Sequence, residues 1–343
     1  MEQRPLLGIE EIMKLVDAGQ ARERKLKRSR AKEDKVMELS EAVATYVADG
    51  DSIVETGFGA IRGPLAGYFE VGKQGKKDLS LIATPGAATD FLIGMGLVTK
   101  AHIAYYGAEM RGLAPNFRKR VENGTLEIVS EWSHHGLSLA LKAAELGVNS
   151  IASKSMLGSD ILRHNPYVRE GKDPITDEPV VFVPPLFPDV AIIHVHEADH
   201  YGNGRIIGPT VNDTAIAVAA HKVILTCERL VPTEALRREP DRNRILYYCV
   251  DAVCVAEYGA FPTDMPGEYY FDRELLEEVI RITWDEPEKF REFVEKDIHG
   301  TRNHFDFVNN HGGTERIHFL KKLGREAAGL GAGAYWKYNE VGK

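Results

Sequence analysis

The sequence of 343 residues has little of several features that mark particular protein classes. It contains three cysteines, Cys227, Cys249 and Cys254, so no disulfide framework is indicated and buried free thiols in a reducing compartment are expected. No apolar run is long enough to cross a bilayer, and the N-terminus lacks the basic and then apolar layout of a signal peptide. We therefore expect a cytoplasmic protein with no membrane partner.

The sequence also has no excess of positive charge. The formal net charge is -8, with 43% hydrophobic and 27% charged residues. This composition is typical of a globular chain. Without a basic footprint, no nucleic-acid partner is expected.

The first 35 residues differ from the rest. Residues 8–20 carry apolar side chains at helical spacing, and residues 22–35 form a charge run with Leu26 as its only large apolar side chain. Such a run indicates a solvated arm. We interpret residues 1–35 as an N-terminal helical and charged extension, and residues 36–343 as one domain.

From residue 36, short apolar runs alternate with helical patterns. Strands are predicted at 52–55, 79–83, 101–106, 126–130, 150–153, 190–195, 223–227 and 250–255. This alternation is typical of an α/β fold with an open, mostly parallel sheet and flanking helices. Residues 157–180 are polar and rich in turn formers, which predicts a surface excursion. In the last third, one amphipathic helix is predicted at 286–298.

The most informative stretch follows the first predicted strand, and it reads Glu55-Thr-Gly-Phe-Gly-Ala-Ile-Arg-Gly-Pro64. Its glycines let the backbone approach a ligand, and its N–H groups at the mouth of a helix would attract an anion. Three interpretations stay open: a dinucleotide pyrophosphate site, a purely structural turn, and an oxyanion hole for an acyl group. The next strand does not end in an acidic residue, which disfavours the dinucleotide.

Two further stretches carry candidate site residues. In Glu131-Trp-Ser-His-His135, Ser133 fits a helix N-cap, or it lines a pocket together with His134. The pattern His194-Val-His196 suggests a metal, but pocket or core histidines are favoured and no metal is expected. No Gly-x-Ser-x-Gly elbow is present.

The ordered set of motifs resembles the alpha (A) subunit of class I coenzyme A transferases, in particular the glutaconate CoA-transferase branch. The likeness spans about residues 35–325. It is carried by Leu39-Ser-Glu-Ala-Val43, Gly57-Phe-Gly59, Gly63-Pro64, Phe117-Arg-Lys119, Glu122-Asn-Gly124, Ala143-Ala-Glu-Leu-Gly147, Pro188-Asp-Val-Ala-Ile-Ile-His194, Thr226-Cys-Glu228, Val250-Asp-Ala-Val253 and Tyr258-Gly-Ala260.

This resemblance implies an open α/β fold of the NagB/RpiA-like type and a separate beta (B) subunit in a heterotetramer or heterooctamer. Coenzyme A would be a substrate, with no tightly bound cofactor. A glutamate of the beta subunit would attack an acyl-CoA, form a glutamyl-CoA thioester and pass CoA to a free carboxylic acid. The loop of Gly57, Phe58 and Gly59 would be the oxyanion site, in agreement with the third interpretation of the turn.

Two residues depart from the family pattern. Glu55, beside the glycines, is either a catalytic base or a strand-end carboxylate paired with Arg62. Glu109 either pairs with Arg111 or faces the acid pocket, where it would disfavour a dicarboxylate substrate.

These departures keep other functions open. Some relatives of the transferases are hydrolases that open a ring in a CoA thioester without the beta-subunit glutamate, and they need a base for water. Glu55, Glu109, Glu131 or His134 would supply that base in this chain. A non-enzymatic acyl-CoA-binding or scaffold subunit is the third class.

Overall fold

A computed structural model describes residues 9–83, 88–108 and 112–330. The helices are α1 (Ile9–Val16), α2 (Ala18–Lys27), α3 (Leu39–Tyr46), α4 (Leu65–Lys73), α5 (Asp90–Gly94), α6 (Pro115–Glu122), α7 (His134–Leu146), α8 (Asp213–Ala219), α9 (Thr233–Arg237), α10 (Arg273–Asp285), α11 (Pro287–Phe293), α12 (His304–Asn310) and α13 (Gly313–Leu330). The strands are β1 (Ser52–Val54), β2 (Leu79–Ala83), β3 (Val98–Ile103), β4 (Glu127–Glu131), β5 (Ile151–Ser153), β6 (Arg169–Lys172), β7 (Pro179–Val183), β8 (Val190–Ala198), β9 (Gly204–Arg205), β10 (Lys222–Leu230), β11 (Asn243–Ile245) and β12 (Ala252–Val255).

The main sheet contains seven parallel strands in the order β12-β10-β8-β1-β2-β3-β4. The short strands β9 and β11 extend it in antiparallel pairing at the end of β8. The predicted open, mostly parallel α/β sheet is confirmed.

The chain changes direction across the sheet at β1. It first adds β2, β3 and β4 on one side, and later places β8, β10 and β12 on the other. In open α/β sheets, ligands bind past the carboxyl ends of the strands at such a reversal. The glycine loop that follows β1 therefore lies where this topology favours a site.

Helices cover both faces of the sheet. Ile53 and Leu81 pack on one face against residues of α3 to α6 and the C-terminal helices, while Val54 and Ile82 pack on the other against α7 and α8. Successive strand residues point to opposite faces, so both faces are buried. This explains why the central strands read as continuous apolar runs.

The described part of the N-terminal extension lies against the body of the protein. Leu15 and Ala21 are buried in the core under α7 and α8, and the Leu15 carbonyl accepts a bond from the Phe187 N–H at 2.8 Å. Helix α2 continues to Lys27, so part of the predicted solvated arm is helical. The division into an extension and one domain stays a prediction.

The extension ends beside the sheet. Val36 forms a parallel bridge with Val253 of β12. The Met37 N–H donates to the Val253 carbonyl at 3.0 Å, and the Val253 N–H donates to the Lys35 carbonyl at 2.8 Å. Residue 36 thus occupies the outer side of strand β12.

The expected surface excursion at 157–180 is mostly exposed or half-buried, and it contains strand β6, which pairs with β7 in a separate three-stranded sheet with β5. The prediction for the last third is wrong, because residues 256–330 hold four α-helices and a π-helical turn at Val294–His299, not one helix at 286–298. Helix α10 had a local signal, because Asp272 caps it and apolar residues follow at helical spacing.

The structure bears on the expectations for the cysteines and for membrane-spanning segments. All three cysteines are free and buried, as predicted. Across the described ranges, no helix combines the length and the apolar character that a membrane crossing requires.

Candidate active site

A tight turn at residues 58–61 forms the tip of the glycine loop. The Phe58 N–H donates to the Ile61 carbonyl at 3.0 Å, and the Ile61 N–H donates back to the Phe58 carbonyl at 2.9 Å. Gly57 and Gly59 have φ angles of 77° and 59°, in the left-handed region that favours glycine. The sequence of the loop therefore suits its backbone.

This turn decides which backbone donors are available. The Phe58 N–H is already used, which corrects its predicted place among the oxyanion donors. At the tip, the N–H groups of Gly59 and Ala60 make no hydrogen bond to the residues that the structure describes. The role of the loop at Gly57, Phe58 and Gly59 as an oxyanion site stays a prediction.

The segment at residues 263–264 holds the loop from one side. The Asp264 N–H donates to the Ala60 carbonyl at 2.7 Å, and its carbonyl accepts from the Arg62 N–H at 2.9 Å. The Thr263 hydroxyl oxygen accepts from the Gly63 N–H at 3.0 Å. These bonds fix the position of the tip without using the amides of Gly59 and Ala60.

Arg62 holds the loop from the other side. Its guanidinium makes two bonds to the Asp213 carboxylate, at 3.0 Å and 2.8 Å, and a third to the Pro209 carbonyl at 2.8 Å. Both side chains of the ion pair are 1% exposed. Asp213 begins helix α8, where a carboxylate is favoured by the helix dipole. The predicted pairing of Arg62 with Glu55 is therefore wrong.

Glu55 instead belongs to a buried network beneath the loop. Its Oε1 accepts a bond from the Thr89 hydroxyl at 2.8 Å, and Thr89 in turn lies 2.7 Å from the Tyr106 hydroxyl. Burial raises the pKa of Tyr106 well above its ordinary value, so this hydroxyl stays neutral. The network joins the end of β1, the start of α5 and the segment after β3. A role of Glu55 as a base stays a prediction.

A small pocket opens beside the loop tip. Its volume is about 50 Å³, and Gly59 and Ala60 form part of its wall. The rest of its lining is mostly apolar, from α5, α6, α10 and the segment after β3: Phe91, Gly107, Ala108, Ala114, Pro115, Leu276, Val279 and Ile280, with Asp90, Asn116 and Thr283. The part of the wall formed by α10 was not predicted from the sequence, because that helix was not predicted.

Asp90 places a carboxyl group in this pocket wall. It accepts bonds from the Phe117 N–H at 2.9 Å and from the Asn116 side chain at 3.0 Å, at the start of α6. Burial raises the pKa of Asp90 to about 6, although these hydrogen bonds act in the opposite direction. No motif marked this residue, because its partners lie 26 and 27 positions away.

The loop also contacts the first residue of α7. The Phe58 and His134 rings contact each other edge to face, with centroids 5.7 Å apart. Burial and the neighbouring His135 lower the pKa of His134, so its imidazole is neutral near pH 7. Its Nε2 is buried without a hydrogen-bond partner among the described residues. The structure thus brings together Phe58 and His134, two candidate site residues that lie far apart in the chain.

The other candidates of this stretch have different surroundings. Ser133 is the N-cap of α7, accepting from the Gly136 N–H at 2.9 Å, and its hydroxyl lies 2.6 Å from that of Ser155. Glu131 ends β4 and is half-buried. Glu109 and Arg111 lie outside the described residues. Substrate contacts of Glu131, Ser133 and Glu109 stay predictions.

The histidines of β8 have partners within the protein. His194 lies 2.9 Å from both the Thr226 hydroxyl and a Glu228 carboxylate oxygen. Burial lowers the pKa of His196 to about 4, and its Nε2 lies 2.8 Å from the Pro266 carbonyl. Among residues 9–83, 88–108 and 112–330, no group of three or more metal-ligating side chains is placed to hold an ion.

Asp264 makes the stability of the loop region sensitive to pH. Burial raises the pKa of its carboxyl group to about 7, although nearby Arg62 acts in the opposite direction. The folded protein therefore holds this proton more tightly than the unfolded chain, where the pKa is near 4. The resulting stabilisation is present below about pH 4 and is lost as the pH rises through 7.

We expect Asp264→Asn to raise the free energy of unfolding at pH 8 by on the order of 1 kcal/mol or more. Little difference from the parent protein is expected at pH 4, where both side chains are neutral. Urea unfolding of the two proteins at pH 4, 6 and 8 measures this difference, and other titrating groups cancel in it. A difference that is independent of pH would contradict the assignment.

Comparison with known proteins supports the resemblance. The profile of the coenzyme A transferase family matches residues 36–256. The alpha (A) subunit of glutaconate CoA-transferase from Acidaminococcus fermentans is 35% identical, over 82% of this chain and 93% of that protein. The crystal structure of that glutaconate CoA-transferase superposes with a TM-score of 0.78 and 32% identity, over 84% of this chain and 95% of that chain.

Two further relatives have other names. The cholesterol ring-cleaving hydrolase IpdA subunit of Rhodococcus jostii is 29% identical, over 80% of this chain and 95% of that protein. An uncharacterized Archaeoglobus fulgidus protein is 37% identical over 86% of this chain, but the match spans 66% of that longer protein. The family profile and the match to glutaconate CoA-transferase both cover most of the sheet and its loops. This chain therefore belongs to the coenzyme A transferase family.

Proposed function

We propose that this chain is the alpha subunit of a heteromeric CoA transferase, which moves CoA from an acyl-CoA to a free carboxylic acid. The single observation that carries the proposal is the pair of amides at Gly59 and Ala60, which have no hydrogen-bond partner among the described residues and lie at the wall of a mostly apolar pocket. Similar proteins carry names that describe one subunit of a larger enzyme, which supports a partner subunit.

The amides act on the charge that develops during acyl transfer. Attack on a thioester carbonyl converts its oxygen into an oxyanion, and two aimed N–H groups stabilise that oxygen more than the starting carbonyl. Each such donor contributes about 3 kcal/mol to the transition state. The bonds from Asp264 and Arg62 hold the turn in place before substrate arrives, so little reorganisation is needed.

The pocket beside the tip accommodates the start of the acyl chain. Its walls from α6 and α10 are mainly apolar, and its volume of about 50 Å³ has room for only a few atoms. A short, uncharged acyl segment fits such walls, because burying an unpaired charge there would be costly.

The nucleophile is a glutamate of the partner subunit. Its carboxylate attacks the thioester carbonyl and expels CoA thiolate, giving an acyl-glutamyl anhydride. The thiolate then attacks the glutamyl carbonyl, releasing the first acid and leaving a glutamyl-CoA thioester. Attack by the second acid and return of the thiolate complete the exchange. Covalent catalysis of this kind divides one difficult step into easier ones.

Trapping the intermediate tests this proposal. The chain is co-expressed with its partner, incubated with an acyl-CoA and treated with borohydride or hydroxylamine. Mass spectrometry is expected to find the modification on a partner glutamate. A modified residue on this chain instead would overturn the assignment of the nucleophile.

In this proposal, Glu55 supports the loop and does not transfer protons. It is 1% exposed and hydrogen-bonded to Thr89 beneath the turn. Glu55→Gln keeps an acceptor oxygen for Thr89, so we expect kcat to stay within about threefold of the parent value. Glu55→Ala leaves the Thr89 hydroxyl with one partner fewer and is expected to lower the unfolding free energy by about 1–3 kcal/mol. A hundredfold loss of kcat in Glu55→Gln would identify a base instead.

A second candidate function is hydrolysis of a cyclic CoA thioester. It is favoured by His134, whose neutral imidazole has a buried Nε2 without a partner among the described residues. Such a nitrogen can accept a proton from an attacking water. Mass spectrometry separates the two functions: transfer moves CoA to an added acid, whereas hydrolysis consumes water and needs no second acid.

A further inference from the structure

A second, larger cleft lies between the N-terminal extension and the body of the protein. Its volume is about 570 Å³, within the range of small-molecule sites. One side is formed by α2 and the residues after it, and the other by the ends of α7 and α8 and by Phe187, Tyr248 and Cys249. The cleft therefore exists only while the extension is docked.

This cleft lies far from the glycine loop. Helices α7 and α8 end there, and Phe187 and Cys249 precede strands β8 and β12. The cleft is thus at the amino edge of the parallel sheet, whereas the loop after β1 is at the carboxyl edge. A ligand in the cleft would not contact the proposed oxyanion site.

The cleft combines positive charge with apolar surface. Four cationic side chains line it: Arg22, Lys25, Arg28 and Arg30. One acidic side chain, Glu145, also lines it and forms an ion pair with Lys142 at 2.6 Å. At its rim, Leu26 is 71% exposed and Tyr248 is 40% exposed.

Two of the four cations have structural roles. The Lys25 ammonium donates to the Ala144 carbonyl in the last turn of α7 at 3.4 Å and lies over the Phe187 ring. A cation there complements the negative end of the helix dipole. Arg28 bonds to the Cys249 carbonyl and pairs with Asp251. These contacts explain why Lys25 and Arg28 are present.

Contacts of this kind do not explain the other two cations, Arg22 and Arg30. Arg22 and Arg30 line the cleft and are exposed, and neither has an ion pair or hydrogen bond within the described part of the chain. Arginine is well suited to paired bonds with phosphate oxygens, and the neighbouring tyrosine ring offers a flat apolar surface. We propose that this cleft binds an organic phosphate, with the phosphate between Arg22 and Arg30 and an aromatic or apolar body against Leu26 and Tyr248.

Binding of ADP to the full chain, measured by titration calorimetry, tests the proposal. ADP is expected to bind at one site, and Arg22→Ala/Arg30→Ala is expected to weaken it at least tenfold. Adenosine lacks the phosphate and pyrophosphate lacks the body, so each should bind at least tenfold more weakly than ADP. Circular dichroism melting checks that the exposed substitutions leave the fold intact.

The matched control is Arg24→Ala/Lys27→Ala, which removes the same number of charges from helix α2 outside the cleft lining. It should change ADP affinity less than twofold. Equal loss in both double variants would indicate general attraction of anions and overturn the proposal. An unchanged ADP affinity in Arg22→Ala/Arg30→Ala would also overturn the proposal. The same holds for pyrophosphate binding as tight as that of ADP, and for loss of ADP binding when the partner subunit is bound.

Discussion

Gly57→Ala is expected to lower kcat for CoA transfer by at least about 100-fold, the scale of losing an oxyanion donor. A Cβ atom at this position would lie 2.3 Å from the Ile61 carbonyl oxygen and 2.9 Å from the Arg62 carbonyl. Both contacts are with backbone atoms, which cannot rotate away. The turn must therefore shift, and the N–H groups of Gly59 and Ala60 no longer point at the substrate oxygen.

Gly50→Ala is the matched control. Gly50 has a φ angle of 79°, close to the 77° of Gly57, but an added Cβ would meet nothing within 4 Å. The two variants share the backbone penalty of about 1–2 kcal/mol and differ in the steric contact. Steady-state kinetics of the complex should find Gly50→Ala within about twofold of the parent. Equal activities of the two variants would refute a role for the shape of the turn.

Arg62→Ala is expected to reduce the free energy of unfolding by about 3–5 kcal/mol. The substitution leaves the Asp213 carboxylate buried at 1% exposure without its bidentate partner. It also frees the Pro209 carbonyl from its bond. Urea unfolding at pH 7 measures this loss.

An exposed ion pair provides the comparison. Lys154 and Glu178 lie 2.5 Å apart, but their side chains are 64% and 56% exposed. Lys154→Ala should therefore cost less than about 1 kcal/mol. The double variant Arg62→Met/Asp213→Leu should recover part of the loss from Arg62→Ala, because no lone charge stays buried. Similar costs for Arg62→Ala and Lys154→Ala would rule out a strong contribution from the buried pair.

Local signals in the sequence predicted much of the fold. The bounds of β2 agree with the predicted strand at 79–83, because an apolar run marks it. Helix α7 lies between its Ser133 cap and Gly147, whose φ of 69° suits glycine. Such features depend on residues within one or two turns of the chain.

The candidate site depended on contacts that local patterns do not contain. Arg62 was expected to pair with Glu55, seven residues away, but its partner Asp213 is 151 residues away. The use of the Phe58 amide follows from how the turn closes, which glycine spacing alone leaves open. The pocket wall from α10 required a helix from the other end of the chain.

The bridge between Val36 and Val253 has a consequence for assembly. An outermost strand normally presents unpaired N–H and C=O groups, on which another chain can add a strand. Both outward-facing groups of Val253 are already bonded to the chain at residues 35 and 37. Edge-to-edge pairing of this sheet with the sheet of another molecule is thus blocked at Val253.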